Sequence, residues 1–354
     1  MEYCYRFPVV RGMQARKEYY IGMVPLKMLS KLFPADEEYV LPEYRAQRRL
    51  NESRIPEIKS YILNNRDNYV FSALAASIDG DYIFIEEGNK NIGILEVSMD
   101  ARFLMNDGQH RKAAIIAALE QNPEIGDETI SVVFFADKGL KHSQQMFTDL
   151  NKHAVKTSNS ISELYDSRDE LAVTVRNVIS QIAFLDEYVD KEKDNLGKFS
   201  SALFTLNTFY VSSKRIIRRG KCDKSFETFL YTYWNAITEH MLPWNELKNK
   251  ELSKKDLRES YVATQAIIIQ AFGKVGAYFW DNGIKNIEKI ICKIDSINWK
   301  RSSGNWKTRV IRDDGRIINN ETAIMLAANY IKMCLGLKLN EDELMLEEKN
   351  KRLR

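Results

Sequence analysis

The sequence predicts an α/β N-terminal domain followed by a mostly α-helical region, and three observations support this. The chain has 354 residues, about twice the usual size of one domain. Its first third mixes β-prone runs with short helical patterns. From about residue 140 onward, apolar residues instead recur every three or four positions. This change of pattern predicts two domains, 1–155 and 156–354.

The N-terminal domain is predicted to combine a small mixed sheet with two helices. Arg54–Asn64 carries apolar residues at helical spacing, and the alanine-rich Lys112–Leu119 is a second helix. Tyr69–Ile78 and Tyr82–Ile85 flank an Asp-Gly dipeptide, which predicts a β-hairpin. Further strands are expected at residues 92–97, 102–105 and 130–135, the last being a continuous apolar run typical of a buried strand.

The second domain is predicted to be helical with one polar interruption. Ser160 and Glu163 have the spacing of a capping box, which predicts a helix start. The interruption is expected at Trp299–Arg316. Further helices are expected at Ser225–His240, Ser260–Phe279, Ile284–Ile294 and Glu321–Leu335.

The composition is that of an ordinary globular protein, with 44% hydrophobic and 29% charged residues. The uncharged stretch Phe199–Ser213 is too short and too polar to span a membrane. Lys plus Arg (52) and Asp plus Glu (49) leave a net charge of +3, which does not by itself indicate nucleic-acid binding. Four scattered cysteines and an N-terminus without a signal pattern favour a cytoplasmic protein with reduced thiols.

The most informative motif is Asp107–Arg111, which lies between a predicted strand and a predicted helix. Gly108 permits unusual backbone angles, and the helix start behind it presents free N–H groups. Arg111 adds a forked donor, so the motif predicts an anion site suited to phosphate. Asp107 could instead cap the helix or hold a cation. A capped helix start with exposed polar residues is an equally good interpretation of the chemistry alone.

The motif and its surroundings carry a family resemblance. The string Asp-Gly-Gln-His-Arg is the signature of the DGQHR-domain proteins, and its context resembles the DndB family of DNA phosphorothioation-associated proteins. The similarity covers roughly residues 45–165. The other matching pieces are Arg48-Arg49-Leu50, Arg54–Ile58, Tyr61-Ile62, Tyr69–Phe71, Ala73-Leu74 and Phe147–Lys152, with Val155 and Ser158.

The resemblance implies a ParB/sulfiredoxin-like fold for the N-terminal domain. In that fold a Gly-x-x-Arg turn at a helix start handles nucleotide phosphates, and Gly108 and Arg111 have this spacing. The implied ligand is ATP or CTP with Mg²⁺, and the absence of any cofactor is the alternative. The candidate nucleotide or phosphate contacts are Gly108, Gln109, His110, Arg111, Asn151, Lys152 and Arg49.

An enzymatic role stays open at this point. If a nucleotide is hydrolysed, the catalytic candidates are Asp107, His110 and Arg111, which would hold the metal, orient water or phosphate, and stabilise the transferred charge. Sulfiredoxin chemistry is excluded, because it needs a cysteine that this motif lacks. The histidines and cysteines show no metal-ligand spacing, so no structural metal site is expected.

The function implied by the resemblance is regulation. DndB-like proteins are viewed as DNA-binding transcriptional regulators that accompany DNA sulfur-modifying enzymes, and not as the sulfur-transferring enzyme. The implied partner is double-stranded DNA at the promoter of the modification operon. Proteins of the modification complex and further copies of the same chain are the other partners considered, and no membrane is expected.

Basic segments identify where DNA is expected to bind. Ser212–Lys221 contains Lys214, Arg215, Arg218, Arg219 and Lys221 without an acid, and Ser212 and Ser213 could add phosphate contacts. The other basic segments are residues 45–54, Trp299–Arg316 with its two tryptophans, and the C-terminal tail. A solvated charged face is the alternative for the tail, the Trp299–Arg316 loop and Ser212–Lys221, and it is weakest for Ser212–Lys221. The arginines of residues 45–54 could instead line the nucleotide pocket.

Overall fold

The computed structural model describes residues 3–34, 52–135, 145–146, 149–150, 157–197, 200–218 and 220–351. Packing contacts divide the chain into two compact units, Met1–Val155 and Lys156–Arg354. The first unit contains a seven-stranded mixed sheet, and the second is predominantly helical. The predicted fold class, α/β followed by helices, is therefore confirmed.

The N-terminal unit is built on one sheet with the strand order β4-β5-β1-β2-β7-β3-β6. All described pairings in this sheet are antiparallel except that of β3 with β7. The strands are β1 (Cys4–Gln14), β2 (Lys17–Pro25), β3 (Leu74–Asp79), β4 (Tyr82–Glu87), β5 (Asn89–Ser98), β6 (Arg102–Asp107) and β7 (Thr129–Phe135). The helices are α1 (Leu29–Leu32), α2 (Ile55–Asn64) and α3 (Gln109–Gln121), with 3₁₀ turns at Leu26–Met28, Glu52–Arg54 and Pro123–Asp127.

The predicted hairpin at Asp79-Gly80 is wrong. Strand β3 pairs with β6 and β7, whereas β4 pairs with β5 on the other side of the sheet. The Asp-Gly dipeptide thus ends one strand and leads to a distant one. The local turn signal did not decide which strands pair. Strand β3 is buried at five successive positions, and a strand buried on both faces lies inside a sheet with a partner along each edge.

The helical unit begins with a helix that starts two residues earlier than its sequence suggests. Ser158 is the N-cap, and its hydroxyl accepts from the Ile161 amide. The predicted capping pair of Ser160 and Glu163 is therefore wrong. The helices are α4 (Asn159–Tyr165), α5 (Glu170–Gln181), α6 (Ala183–Tyr188), α7 (Leu206–Ile217), α8 (Lys224–His240), α9 (Leu242–Lys248), α10 (Lys254–Ser260), α11 (Ala266–Asp281), α12 (Ile287–Ile291), α13 (Glu321–Leu335) and α14 (Glu341–Lys351). A 3₁₀ turn covers Cys292–Ser296, and short strands β8 (Val189–Asp190) and β9 (Phe204–Thr205) pair in parallel.

Helix α11 is the centre of this unit and packs against α7 and α13. Its close crossing with α7 depends on glycine, because a Cβ on Gly273 would lie 2.6 Å from the Ser212 carbonyl oxygen. The aromatic residues of α8 belong to the same core, since Phe226, Tyr233 and Trp234 are buried.

Most of the predicted helices of this unit are confirmed, including α8 and α13. The predicted helix Ser260–Phe279 starts later than expected, because α11 begins at Ala266, and Ser260 is the last residue of the separate helix α10. Within the described residues, the search for a helix long and apolar enough to cross a membrane found none.

Candidate functional site

The turn before α3 has the backbone that its glycine predicts. Gly108 is the N-cap residue, with a left-handed φ of 102°, and no side chain caps the helix. A Cβ at this position would lie 2.3 Å from Leu74 Cδ2. Glycine is therefore required both by the dihedral angle and by the contact with β3.

The side chain of Arg111 is committed to its own unit. Its Nη1 atom donates to the Ser72 carbonyl and hydroxyl oxygens, each at 2.6 Å, and to the Ala73 carbonyl at 2.9 Å. Its Nη2 atom donates to Asp107 Oδ2 at 2.7 Å. Arg111 thus ties the end of β6 and the start of α3 to the segment that leads into β3.

These contacts do not fit a magnesium nucleotide held by Asp107 and Arg111. The carboxylate and the guanidinium that would hold the metal and the phosphate instead bind each other. His110 makes interactions of its own, and Gln109 Nε2 is buried without a partner among the described residues. The nucleotide candidates Arg49, Asn151 and Lys152 lie outside the described residues. The catalytic and nucleotide assignments at this turn remain predictions.

The basic segment Ser212–Lys221 presents fewer groups to solvent than its sequence suggests. Ser212 and Ser213 are fully buried, and the Ser212 hydroxyl donates to the Ile269 carbonyl at 2.8 Å. The expectation that these two serines contact DNA phosphates is therefore wrong. Ser212 lies at the crossing of α7 with α11.

Two arginines of this segment are paired with acids from other helices. Arg215 donates from Nη1 and Nη2 to Glu321 at 2.9 and 2.8 Å, and its hydrogen bond is the main reason that the pKa of Glu321 falls to about 2. Arg218 Nη1 lies 3.2 Å from Asp281 Oδ2. The charges of these two arginines are thus partly offset by acids that are distant in sequence.

The remaining basic residues of this segment differ in their surroundings. Lys214 is exposed and lies over the Tyr210 ring, with 5.9 Å between Nζ and the ring centroid. Lys221 is exposed, and Arg219 lies outside the described residues. The DNA-binding assignment of Lys214, Arg215, Arg218, Arg219 and Lys221 remains a prediction.

The loop Trp299–Arg316 is anchored in the core by its tryptophans. Trp299 and Trp306 are buried and stack with ring centroids 5.3 Å apart. The Trp306 indole donates to the Asn298 carbonyl at 2.7 Å. Neither ring is therefore available to stack on a base.

Arg309 of the same loop is also buried. Its guanidinium forms a bidentate pair with Glu347 of α14, and both side chains are only 5% exposed. Arg309 therefore holds the loop against α14. The cations that this loop exposes are Lys300, Lys307, Arg312 and Arg316, called the loop cations below.

The cysteines show no sign of an activated thiolate. Cys4, Cys222, Cys292 and Cys334 are all free and partly buried. Burial raises the pKa of the Cys222 and Cys334 thiols, which is opposite to what a sulfur nucleophile requires.

Glu163 of α4 has an unusual protonation state. Burial is the main cause that raises its pKa to about 8, and the carboxylates of Asp194 and Asp169 add to the effect. Its Oε2 atom is buried and has no hydrogen-bond partner among the described residues. Below pH 8 this side chain is mainly neutral.

Sequence reasoning missed a cavity of about 690 Å³ in the helical unit. Its basic lining includes Lys254, Lys255 and Arg258 of α10 together with Arg301. A local signal existed, because two adjacent lysines precede an arginine one helical turn later. The acids Asp256 and Glu259 lie among these cations in the sequence, so the segment does not stand out by its net charge.

A family model described as "DndB: DNA-sulfur modification-associated" matches residues 7–338. This match spans far more than the motif region around Gly108 and marks the chain as a protein associated with DNA sulfur modification. The chain belongs to the DndB family. The family resemblance read from the sequence is thereby confirmed. Neither a search of curated proteins nor one of solved structures returned a match.

Proposed function

We propose that this protein is a DNA-binding transcriptional regulator of the DNA sulfur-modification system with which its family is associated. The observation that carries the proposal is the family match across residues 7–338. The pairing of Arg215 and Arg218 with acids argues that the Ser212–Lys221 segment is not the main contact.

The loop cations are the surface that suits DNA best. Lys300, Lys307, Arg312 and Arg316 are exposed on one loop. Arg316 Nε lies 3.7 Å from Asp314 Oδ2, but the Arg316 side chain is 82% exposed, so this pair leaves the cation accessible. The buried tryptophan pair and the Arg309–Glu347 pair fix that loop to the core. Because the loop is anchored, its backbone has little conformational freedom to lose when the cations meet phosphates, and the main entropic cost is that of the lysine and arginine side chains. Such contacts position a protein on a duplex without reading its sequence.

The test measures binding of the full chain to a labelled duplex from the region upstream of the modification operon. Fluorescence anisotropy gives the binding constant K at several salt concentrations. Four phosphate contacts predict a slope of log K against log salt of about −3.6. The double variant Lys307→Glu/Arg312→Glu should make that slope shallower by about 1.8, to about −1.8, and should weaken binding at least tenfold.

The matched control reverses two exposed lysines elsewhere in the same unit, Lys285→Glu/Lys289→Glu. It changes the net charge equally and should bind nearly as well as the parent. Equal losses in both double variants would show only a general charge effect and remove the loop from the proposal. A parent protein that neither binds this duplex nor changes the expression of a reporter placed behind it would refute the regulatory role.

A further inference from the structure

The cavity beside α11 combines three features that independently suit an anion. It lies within the helical unit, between the segment 194–208, helix α10 and the start of α11. None of the loop cations lines this cavity; its one lining residue from the loop is Arg301.

The first feature is the open N-terminus of α11, a helix of 16 residues. No side chain caps it, and Ile268 and Ile269 both donate to the Gln265 carbonyl. In the described part of the chain, the amides of Ala266 and Ile267 have no acceptor. Free amides at the positive end of a helix dipole attract an anion.

The second feature is the side chain of Thr264, two residues before the helix. It is 7% exposed, and its hydroxyl finds no hydrogen-bond partner among the described residues. Thr264 also lines the cavity. A buried hydroxyl without a partner is costly to a folded protein, and an oxyanion in this cavity would supply the missing acceptor.

The third feature is the charge of the lining. Arg258 and Arg301 are held in place by backbone carbonyls: Arg258 donates to Gly197 and Ser200, and Arg301 donates to Tyr261 and to the carbonyl of Arg258. Lys254 and Lys255 complete the basic lining. Two acids, Asp194 and Glu259, also line the cavity, so its four cations outnumber its acids. Asp194 is already occupied, because it accepts from the Asn159 and Ser160 amides.

We propose that this cavity binds the phosphate monoester group of a small ligand, with the phosphate at the Ala266 and Ile267 amides and the Thr264 hydroxyl. Lys255 and Arg301 neutralise its charge. The volume of about 690 Å³ is that of a typical ligand pocket and leaves room for an organic group of nucleoside size. Leu203 and Phe204 supply an apolar part of the lining.

The probes are inorganic phosphate, adenosine 5′-monophosphate, and an oligonucleotide with either a 5′-phosphate or a 5′-hydroxyl. Binding is measured on the full chain by calorimetry and by the shift of the thermal transition in tryptophan fluorescence, because all five tryptophans lie in the helical unit. Preference for the monophosphate identifies a free small ligand. Preference for the 5′-phosphorylated oligonucleotide identifies a DNA end as the source of the same group.

The decisive variant is Thr264→Val, which removes the hydroxyl and keeps the shape. Because that hydroxyl has no partner in the protein, the variant should unfold at the same or a higher temperature. It should bind the preferred probe about fivefold to tenfold more weakly, as expected for one lost hydrogen bond. Thr264→Ser should retain binding.

Lys255→Ala should also weaken binding, whereas the exposed control Lys285→Ala should not. The proposal is overturned if none of the probes binds at millimolar concentration. It is equally overturned if the valine variant binds as tightly as the parent.

Discussion

Two helix starts in this chain, those of α3 and α11, both lack a side-chain cap, and they differ in what surrounds them. At α3, Arg111 is bound to Asp107 and to the carbonyls of residues 72 and 73. At α11, the hydroxyl of Thr264 has no partner among the described residues, and four cations line the adjoining cavity.

The difference shows that a conspicuous motif and an open site need not coincide. The Asp107–Arg111 string has the residues of an anion site, but its arginine satisfies acceptors of its own unit. The start of α11 has no motif, and its cations come from α10 and from the loop after residue 299. A local reading of charge also failed at Arg215, whose partner Glu321 lies 106 residues away.

The largest expected effect tests the structural role of Arg111. Arg111→Ala removes four hydrogen bonds that join β6 and α3 to the segment before β3. The N-terminal unit should lose about 2–4 kcal/mol of its free energy of unfolding. The unfolding transition seen by far-ultraviolet circular dichroism should shift, while the one seen by tryptophan fluorescence should not.

The control for this change is Arg102→Ala, since Arg102 is exposed on the strand that precedes the motif. It should leave both transitions in place. An alanine variant at Arg111 that unfolds like the parent would break the comparison, and it would restore the arginine as a group available to a ligand.

A smaller effect concerns Glu163, whose pKa is raised mainly by burial and further by the cavity residue Asp194. The pKa of Glu163 is raised from 4.5 to about 8. Its contribution to the free energy of unfolding of the parent is therefore greatest below pH 4.5 and is lost as the pH rises through 8. Glu163→Gln cannot ionise and should escape this loss. At pH 9 it should be more stable than the parent by about 1–2 kcal/mol, a value reduced for partial exposure.

The measurement is the thermal unfolding of both proteins at pH 5 and pH 9, with tryptophan fluorescence as the readout. The advantage of the glutamine variant should nearly vanish at pH 5, where Glu163 is neutral in the folded state. Glu251→Gln, at an exposed position of the same unit, should show no such dependence. An advantage that is equal at both pH values would contradict the assignment.

The sequence predicted those elements whose pattern is local. Helix α13 was predicted at its observed bounds, because its apolar residues recur at helical spacing. Asn320 caps its start, and Gly336 follows its last residue. Strands β1 and β2 were missed, since apolar residues such as Val10 and Met23 occur on their exposed face and obscure the alternation. The cavity could not be predicted, because Thr264, Arg258 and Arg301 meet only through the packing of α10, α11 and the loop.

The comparison of the two helix starts is tested most directly by hydrogen–deuterium exchange of the full chain with and without adenosine 5′-monophosphate. The ligand should slow exchange in the peptide that contains Ala266 and Ile267. It should leave the peptide that contains Gln109 and Arg111 unchanged. Protection at Gln109–Arg111 without protection at Ala266 would contradict the account and place the phosphate at the glycine turn instead.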